Sequence, residues 1–224
     1  MHRIRVAILI LSLTLCPLFL NAQDGELIMG VRTGHNASSG GFAAFSIESL
    51  NTFENNFQLS AGAQYNTTGK TAFESRPSYY KNYRWGRLTA ETLLAYTHLT
   101  SVSSFAAGAG ADVSGKWVGA KLGYYYRLYG HKGEYVKEPF NVYYELRVNF
   151  LPMLEKWDLQ FVLTNNETFE LERHYQPSFI MQCRHDFNDC FSMTMGAGCK
   201  PAGMFNLSAD YYQSFLNLGV CYSW

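Results

Sequence analysis

Residues 140–150, FNVYYELRVNF, decide the fold of this chain, because apolar and polar side chains alternate along them without a break. In an extended strand the even-numbered residues share one face: Phe140, Val142, Tyr144, Leu146, Val148 and Phe150. The odd-numbered residues share the other face: Asn141, Tyr143, Glu145, Arg147 and Asn149. A period of two residues is that of a β-strand with one apolar and one polar face.

The same alternation recurs along the chain, which predicts an all-β protein. It is found in residues 57–65, 105–113, 118–128, 157–164, 191–197 and 216–224. Small residues recur on the polar face, as at Gly108, Gly110, Gly196 and Gly198. A narrow barrel interior favours such residues because it leaves little room for side chains.

Charged residues occupy the polar face, and this placement favours a membrane barrel over a soluble sandwich. The predicted lumen-facing charges are Glu91, Lys121, Arg127, Glu145, Arg147, Asp158, Glu170, Glu172 and Arg184. The opposite face is rich in Tyr, Phe, Leu and Trp, as lipid contact requires. The exposed face of a soluble sheet would be richer in Lys, Glu and Thr. We therefore predict a single antiparallel transmembrane β-barrel, with a soluble sandwich as the alternative.

Turns and polar clusters divide the chain into twelve strand segments. They are residues 26–34, 42–50, 56–66, 71–83, 87–98, 103–114, 116–129, 139–150, 156–165, 168–185, 190–199 and 212–224. An even count returns both termini to one side of the membrane. The segment around Arg76 and Pro77 and the stretch 204–211 fit the alternation worst. Ten strands is therefore the alternative count.

Large aromatic residues fall at every second connection between these segments. If both termini lie in the periplasm, the aromatic residues on that side are Trp85, Trp117, Trp157, Phe191 and Trp224. Aromatic rings are favoured at the level of the lipid headgroups. We interpret these residues as a periplasmic aromatic girdle.

Charge and composition exclude one class of partner. The 18 basic residues balance the 18 acidic ones, and 16% of the chain is charged. A nucleic-acid-binding protein needs a basic patch, and a soluble domain is about 25% charged. Nucleic acid is therefore not an expected partner, and a charge-coated soluble enzyme is disfavoured.

The first residues of the chain have the features of an export signal. Arg3 and Arg5 precede an apolar run at 6–20, and Ala22 is a small residue after which cleavage is expected. The run is shorter than the roughly 20 residues that a transmembrane helix needs. The predicted organisation is a cleavable signal peptide at 1–22 followed by the barrel at 23–224.

With these features the chain resembles bacterial outer-membrane β-barrel proteins, in particular small porin-like barrels, and its signal ending is similar to those of Bacteroidota. The closing residues LNLGVCYSW resemble the C-terminal assembly signal of such barrels. The residues that carry this resemblance are Leu216, Leu218, Val220, Tyr222 and Trp224. The resemblance implies outer-membrane lipid and the barrel-assembly machinery as partners, with another envelope protein as a further candidate.

Three functions are compatible with that resemblance. The first is a narrow channel for small polar solutes or a structural barrel, and the second is an accessory subunit of an envelope assembly, secretion or uptake complex. The third is a lipid-modifying enzyme, which in such barrels carries a His and a Ser two residues apart on the lipid-facing side. The nearest match, His98 with Thr100 or Ser103, does not reproduce that spacing. We therefore expect no catalytic residues.

The polar residues also indicate how the lumen is organised. Lys121, Arg127, Glu145 and Arg147 lie on adjacent segments, so we expect them to pair across the lumen. His174 and His185 lie near Glu170, Glu172 and Arg184, but their spacing does not converge on a metal, and no metal or cofactor is expected. Cys183 and Cys190 flank a turn, and with Cys199 and Cys221 they leave a cross-hairpin disulfide or free thiols as alternatives.

Overall fold

The protein is a closed antiparallel β-barrel of twelve strands, which confirms the predicted fold and count. The computed structural model describes residues 22–37, 40–99, 102–131, 134–150, 156–171, 177–201 and 211–224. Each barrel strand pairs with its neighbours in the chain, and the first pairs with the last. The predicted signal peptide lies almost entirely outside the described residues.

The strands are numbered in chain order, and β10 and β11 form a separate two-stranded sheet. Their bounds are β1 (Asp24–Asn36), β2 (Gly40–Thr52), β3 (Phe57–Asn66), β4 (Lys70–Tyr83), β5 (Gly86–Leu99), β6 (Val102–Ser114), β7 (Val118–His131), β8 (Glu134–Asn149), β9 (Trp157–Thr164), β10 (Asn166–Glu167), β11 (Glu170–Leu171), β12 (Ser178–Asp186), β13 (Phe191–Pro201) and β14 (Tyr211–Ser223). The described residues also contain a short 3₁₀ turn, Glu54–Asn56, but no helix long and apolar enough to cross a membrane.

The outer surface of the barrel is formed by the apolar half of each alternating strand. Along β7, Leu122 and Tyr124 are 64% and 56% exposed, whereas Tyr125, on the other face, is fully buried. Along β14 the same is true of Leu216, Leu218 and Val220. A closed wall leaves no strand edge unpaired, and its apolar outer face is suited to lipid.

Part of the lumen is filled by aromatic rings that lie on glycines. A Cβ atom added at Gly110 would fall 2.2 Å from the Tyr143 hydroxyl oxygen, and one added at Gly123 would fall 2.2 Å from Cζ of the same ring. Tyr143 and Tyr125 are fully buried and pack with Leu93. The small residues of the polar face thus make room for large rings from a neighbouring strand.

Both described ends of the chain lie at the same end of the barrel, which we call the terminal end; the other is the distal end. The amide of Trp224 donates to the carbonyl of Gly25, and the amide of Gly25 donates to the carbonyl of Trp224. All the aromatic residues predicted for the girdle are at this end and exposed: Trp85, Trp117, Trp157, Phe191 and Trp224. Tyr83 stacks on Trp85, with ring centroids 5.3 Å apart.

Two sequence-based boundaries are wrong at the distal end. The predicted segments 116–129 and 139–150 leave 130–138 as a connection, but His131 pairs with Glu134, so β7 extends to His131 and β8 begins at Glu134. Backbone hydrogen bonds extend these strands beyond the end of the apolar pattern. The predicted segment 168–185 is not one strand, since only Ser178–Asp186 belongs to the barrel wall.

The two stretches that fitted the alternation worst, around Arg76 and Pro77 and at 204–211, differ in outcome. β4 runs through Arg76 and Pro77, but its ladder with β5 is interrupted at both residues. Proline has no amide hydrogen to donate, which accounts for the gap at Pro77. Residues 204–210 lie outside the described part of the chain.

Candidate functional site in the lumen

Most of the predicted lumen charges are on the inward face of barrel strands. These are Glu91, Lys121, Arg127, Glu145, Arg147, Asp158 and Arg184. Glu170 also lies in the lumen, but on the small sheet and not on the barrel wall. Glu172 and His174 lie outside the described residues.

The connection after β9 enters the lumen as a small hairpin formed by β10 and β11, which we call the inward hairpin (residues 166–171). Glu167 pairs with Glu170 across a turn whose central residues are Thr168 and Phe169. Phe169 has a φ of 65°, a left-handed conformation that costs a bulky residue about 1 kcal/mol or more. Its surroundings must therefore hold the turn in place.

The two carboxylates of the inward hairpin bind cations on the barrel wall. Lys200 on β13 is fully buried, with Nζ 3.0 Å from Glu167 and 2.6 Å from Glu170. Arg32 on β1 lies 2.5 Å from Glu167 and 3.3 Å from Glu170. Lys70 on β4 lies 3.5 Å from Glu170. Each buried carboxylate thus has at least two cationic neighbours.

The inward hairpin also contacts the wall opposite β9 and β12. Arg76 donates to Oδ1 of Asn166 at 2.8 Å, and the amide of Phe169 donates to Glu74 at 2.9 Å. The ring of Phe169 lies over Gly62 on β3, where an added Cβ would fall 2.7 Å from its Cζ. The hairpin therefore crosses the lumen from one side to the other.

These contacts set the ionisation of the two hairpin carboxylates, which lie outside the twelve strands of the wall. Burial by itself would raise both pKa values. For Glu167 the charges of Lys200 and Arg32 outweigh burial, and the pKa is lowered. For Glu170 the charges of Lys200, Lys70 and Arg32 hold the pKa well below its usual value. Both residues are therefore ionised at neutral pH.

A second network lies below the hairpin, toward the terminal end. Glu91 accepts hydrogen bonds from Lys121 at 3.1 Å, from the Tyr143 hydroxyl at 3.1 Å and from Arg76 at 3.4 Å. Arg147 pairs with Glu145 at 3.0 Å and with Asp112. Lys121, Glu145 and Arg147 each form an ion pair inside the lumen.

Arg127 contacts aromatic side chains of its own strand. Its guanidinium lies 5.0 Å from the Tyr125 ring centroid and 5.4 Å from that of Tyr129. At the terminal end, Arg184 binds Glu26 at 3.1 Å and Asp186 at 2.9 Å. Charges of both signs therefore occur from the terminal end to the inward hairpin.

Two adjoining cavities of about 340 and 400 Å³ lie between the inward hairpin and the terminal end. Residues that line both are Glu145, Arg147, Asn166 and Thr168, so the cavities form one polar chamber. The hairpin forms its distal boundary. We call this space the chamber.

Several chamber and hairpin residues were missed by the sequence analysis. They include Arg32, Glu48, Glu74, Arg76, Glu167 and Lys200. Inward parity could have found Glu48, since it shares a face of β2 with the buried Ala44. The length of the predicted segment 168–185 could have indicated the hairpin, because it far exceeds the 9–11 residues of a typical membrane strand.

His98 and Ser103 are brought together on the outer face near the distal end. His98 follows the outward-facing Leu94 and Tyr96, and its Nδ1 lies 2.9 Å from Oγ of Ser103. Within the described ranges, no side chain is hydrogen-bonded to the other ring nitrogen of His98. A Ser–His pair without a group that orients the imidazole lacks one part of the usual hydrolase arrangement.

The cysteines and potential metal ligands are scattered. Cys183, Cys190, Cys199 and Cys221 are all free thiols. In the part of the chain that the structure describes, no group of three or more His, Cys, Asp or Glu residues could hold a metal ion.

The comparisons with known proteins support the fold. No family model and no curated protein matches the chain. Among solved structures it is similar to the KdgM porin in complex with disordered oligogalacturonate, with a TM-score of 0.59 and 12% identity over 89% of this chain and 99% of that one. An outer-membrane channel from Pseudomonas putida F1 gives a TM-score of 0.59 and 11% identity, over 91% and 96% of the two chains.

A third similar structure is outer membrane phospholipase A from Escherichia coli, with a TM-score of 0.51 and 9% identity over 90% of this chain and 97% of that one. At such identities the likeness concerns the fold alone. Because channels and an enzyme share this fold, the function depends on the residues of the lumen and the outer face and not on the fold alone.

Proposed function

We propose that this protein is a narrow outer-membrane channel for small polar solutes, in which the inward hairpin sets the width of the pathway. The observation that carries the proposal is the chamber itself. It is lined by polar and charged groups and enclosed by a wall whose outer surface is apolar. A barrel with that distribution of polarity accommodates water and polar solutes inside and lipid outside.

Paired charges favour solutes that do not carry a large charge of one sign. A solute that enters from the terminal end meets Arg184 with Glu26, then Arg147 with Glu145, then Lys121 with Glu91. A pathway lined by charges of one sign would instead favour ions of the opposite sign. Small polar solutes without a large net charge are therefore the best match to the paired lumen.

The inward hairpin is proposed as the constriction of this pathway. Its ion pairs with Lys200 and Arg32 fix it at one wall, and its contacts with Arg76 and Glu74 fix it at the other. A solute that passes must move between the hairpin and the wall or displace the hairpin.

Single-channel recording of the protein reconstituted in planar lipid bilayers tests this proposal. We expect small, reproducible current steps, and larger steps for the double variant Glu167→Gln/Glu170→Gln, which removes the charges that bind Lys200. Asp186→Asn, at the terminal end, is the control and should change the step size little. Absence of reproducible steps in all three proteins would overturn the channel.

We propose that the terminal end faces the periplasm and that the outer membrane holds the barrel. The exposed aromatic residues at that end and the apolar wall between the two ends support insertion of the barrel in a membrane. The strand β14, with its alternating apolar residues and Trp224, is proposed as the segment that the barrel-assembly machinery recognises. Deletion of Trp224 should then lower the amount of folded barrel in the outer membrane without lowering synthesis.

A lipid hydrolase is the second candidate, because of the contact between His98 and Ser103. It ranks below the channel because no described group orients the imidazole. Release of fatty acid from phospholipid vesicles by the purified protein tests it. Activity that disappears in both His98→Ala and Ser103→Ala would establish the hydrolase, whereas no release from the unmodified protein would exclude it for that lipid.

A further inference from the structure

Glu48 differs from the other acidic residues around the inward hairpin because it has no counterion in contact. It lies on the inward face of β2 and lines the cavity of about 340 Å³. Throughout the ranges that the structure describes, no hydrogen bond or ion pair joins it to another side chain. By contrast, Glu74 is bonded to Arg76 at 2.5 Å and accepts the amide of Phe169 at 2.9 Å. Glu48 is thus the carboxylate of this region that is open to a ligand.

The amide group of Gln64 is also unsatisfied in the same cavity. Gln64 is 6% exposed, and its Oε1 has no hydrogen-bond partner among the described residues. It pairs in register with Ser46, and Glu48 pairs with Gly62, so the two side chains are diagonal neighbours on the inner wall. Such neighbours lie about 7–8 Å apart at the backbone, within reach of one small ligand group.

Asn166 of the inward hairpin supplies a complementary donor. It is 3% exposed, and its Nδ2 has no hydrogen-bond partner in the described part of the chain. Its Oδ1 accepts from Arg76, and since a guanidinium only donates, this contact fixes which end of the amide faces away from Arg76. A buried donor without a partner is unfavourable, and an oxygen of a bound ligand would satisfy it.

We propose that Glu48, Gln64 and Asn166 form a binding subsite for a small polar solute that carries a guanidinium group. Glu48 and Gln64 accept hydrogen bonds from the cationic group, and Asn166 donates to an oxygen of the same solute. The ring of Phe169 and Cγ of Glu48 both border the space above Gly62, so the ligand would touch the inward hairpin as well as the wall. The subsite deepens the proposed channel function and rests on it for its role in transport.

The test uses arginine and citrulline, which have nearly the same shape but differ in the charge of the side chain. Arginine added to the reconstituted channel should reduce the potassium chloride current, and citrulline should not. Glu48→Gln should raise the arginine concentration for half-block by at least about tenfold, because the carboxylate charge that pairs with the guanidinium is lost. Glu48→Asp, which keeps the charge, should stay within about threefold.

The matched control is Glu145→Gln, which removes a chamber carboxylate already paired with Arg147. Its arginine block should remain close to that of the unmodified protein. Equal block in Glu48→Gln and the unmodified protein would overturn the subsite. An equal loss of block in Glu145→Gln would also overturn it, because the effect would then be one of overall lumen charge.

A second measurement separates the subsite from the channel. Arginine should raise the melting temperature of the purified barrel in detergent, since a ligand that binds the folded state stabilises it, and Glu48→Gln should abolish the shift. A shift that depends on Glu48 without any current would overturn the channel and leave the subsite standing. Current without an arginine effect in either measurement would overturn the subsite and leave the channel standing.

Discussion

Phe169, at the turn of the inward hairpin, lies against Gly62 on the opposite wall of the barrel. A Cβ atom at Gly62 would fall 2.7 Å from Cζ of the Phe169 ring, closer than side chains approach. The absence of a side chain at Gly62 therefore leaves the space that the ring occupies. The packed ring in turn stabilises a turn in which the φ of Phe169, 65°, is unfavourable for phenylalanine.

The first prediction concerns the contact between Gly62 and the Phe169 ring. Gly62→Leu should displace Phe169 and loosen the hairpin, so the single-channel conductance should rise. Gly41→Ala is the control, because its new Cβ would meet no atom closer than 3.9 Å. Unchanged conductance in a folded Gly62→Leu barrel would show that the Phe169 contact does not position the hairpin.

The second prediction concerns Lys200, which binds both hairpin carboxylates and is fully buried. Lys200→Met should destabilise the protein by about 3–5 kcal/mol, because it leaves two buried carboxylates with fewer counterions. Urea unfolding in lipid vesicles measures the effect. Lys116→Met, an exposed substitution at the terminal end, should change stability by less than about 0.5 kcal/mol.

Combining Lys200→Met with Glu167→Gln and Glu170→Gln should recover part of that loss. Removal of all partners leaves fewer unpaired buried charges than removal of one. Strictly additive effects of the three substitutions would contradict a shared ion-pair network.

The third prediction concerns pH. Since folding lowers the pKa values of Glu167 and Glu170 from about 4.5, their contribution to stability is fully present above that pH. It is lost as the pH falls through the lowered values. The hairpin should therefore stay bound to the wall at neutral and mildly acidic pH, and the rise in conductance that accompanies its release should come only below about pH 4.5. A rise centred near pH 6 would mean that other groups control the constriction.

The fourth prediction concerns the lipid-facing surface. Leu122 lies well inside β7 and is 64% exposed, so Leu122→Arg should destabilise the barrel in lipid by about 2–4 kcal/mol. Leu88→Arg, near the terminal end and its aromatic residues, should cost at most about 1 kcal/mol. Unfolding in phospholipid vesicles compares the two. Equal costs would argue against the proposed depth of these residues.

The strands of the wall could be predicted because each of their faces meets a different solvent. Tyr144 and Leu146 face outward, while Tyr143 and Glu145 face inward. The alternation of apolar and polar residues at 140–150 predicts this difference. Parity is a local property, so it required no knowledge of the partner strands. The same rule places Glu48 inside β2, although only the pairing with β3 brings it beside Gln64.

The inward hairpin could not be predicted in this way. Its residues continue the polar alternation of a strand, and its charges match the expected lumen face equally well. What separates the hairpin from the wall is its set of partners, Arg32, Lys70 and Lys200, which come from three distant strands. Only closure of the barrel brings those cations to the same depth of the lumen.

The sequence by itself thus determined an antiparallel membrane barrel of twelve strands, because alternation and even spacing are enough to sort residues between lipid and lumen. Only the tertiary structure decided what fills the lumen. Lys200 and Arg32 bind the carboxylates of the inward hairpin, and Gly62 leaves space for the Phe169 ring. These contacts offset the cost of burying a charged hairpin in the lumen. They also leave Glu48 without a counterion beside the chamber, which no local pattern of residues could have indicated.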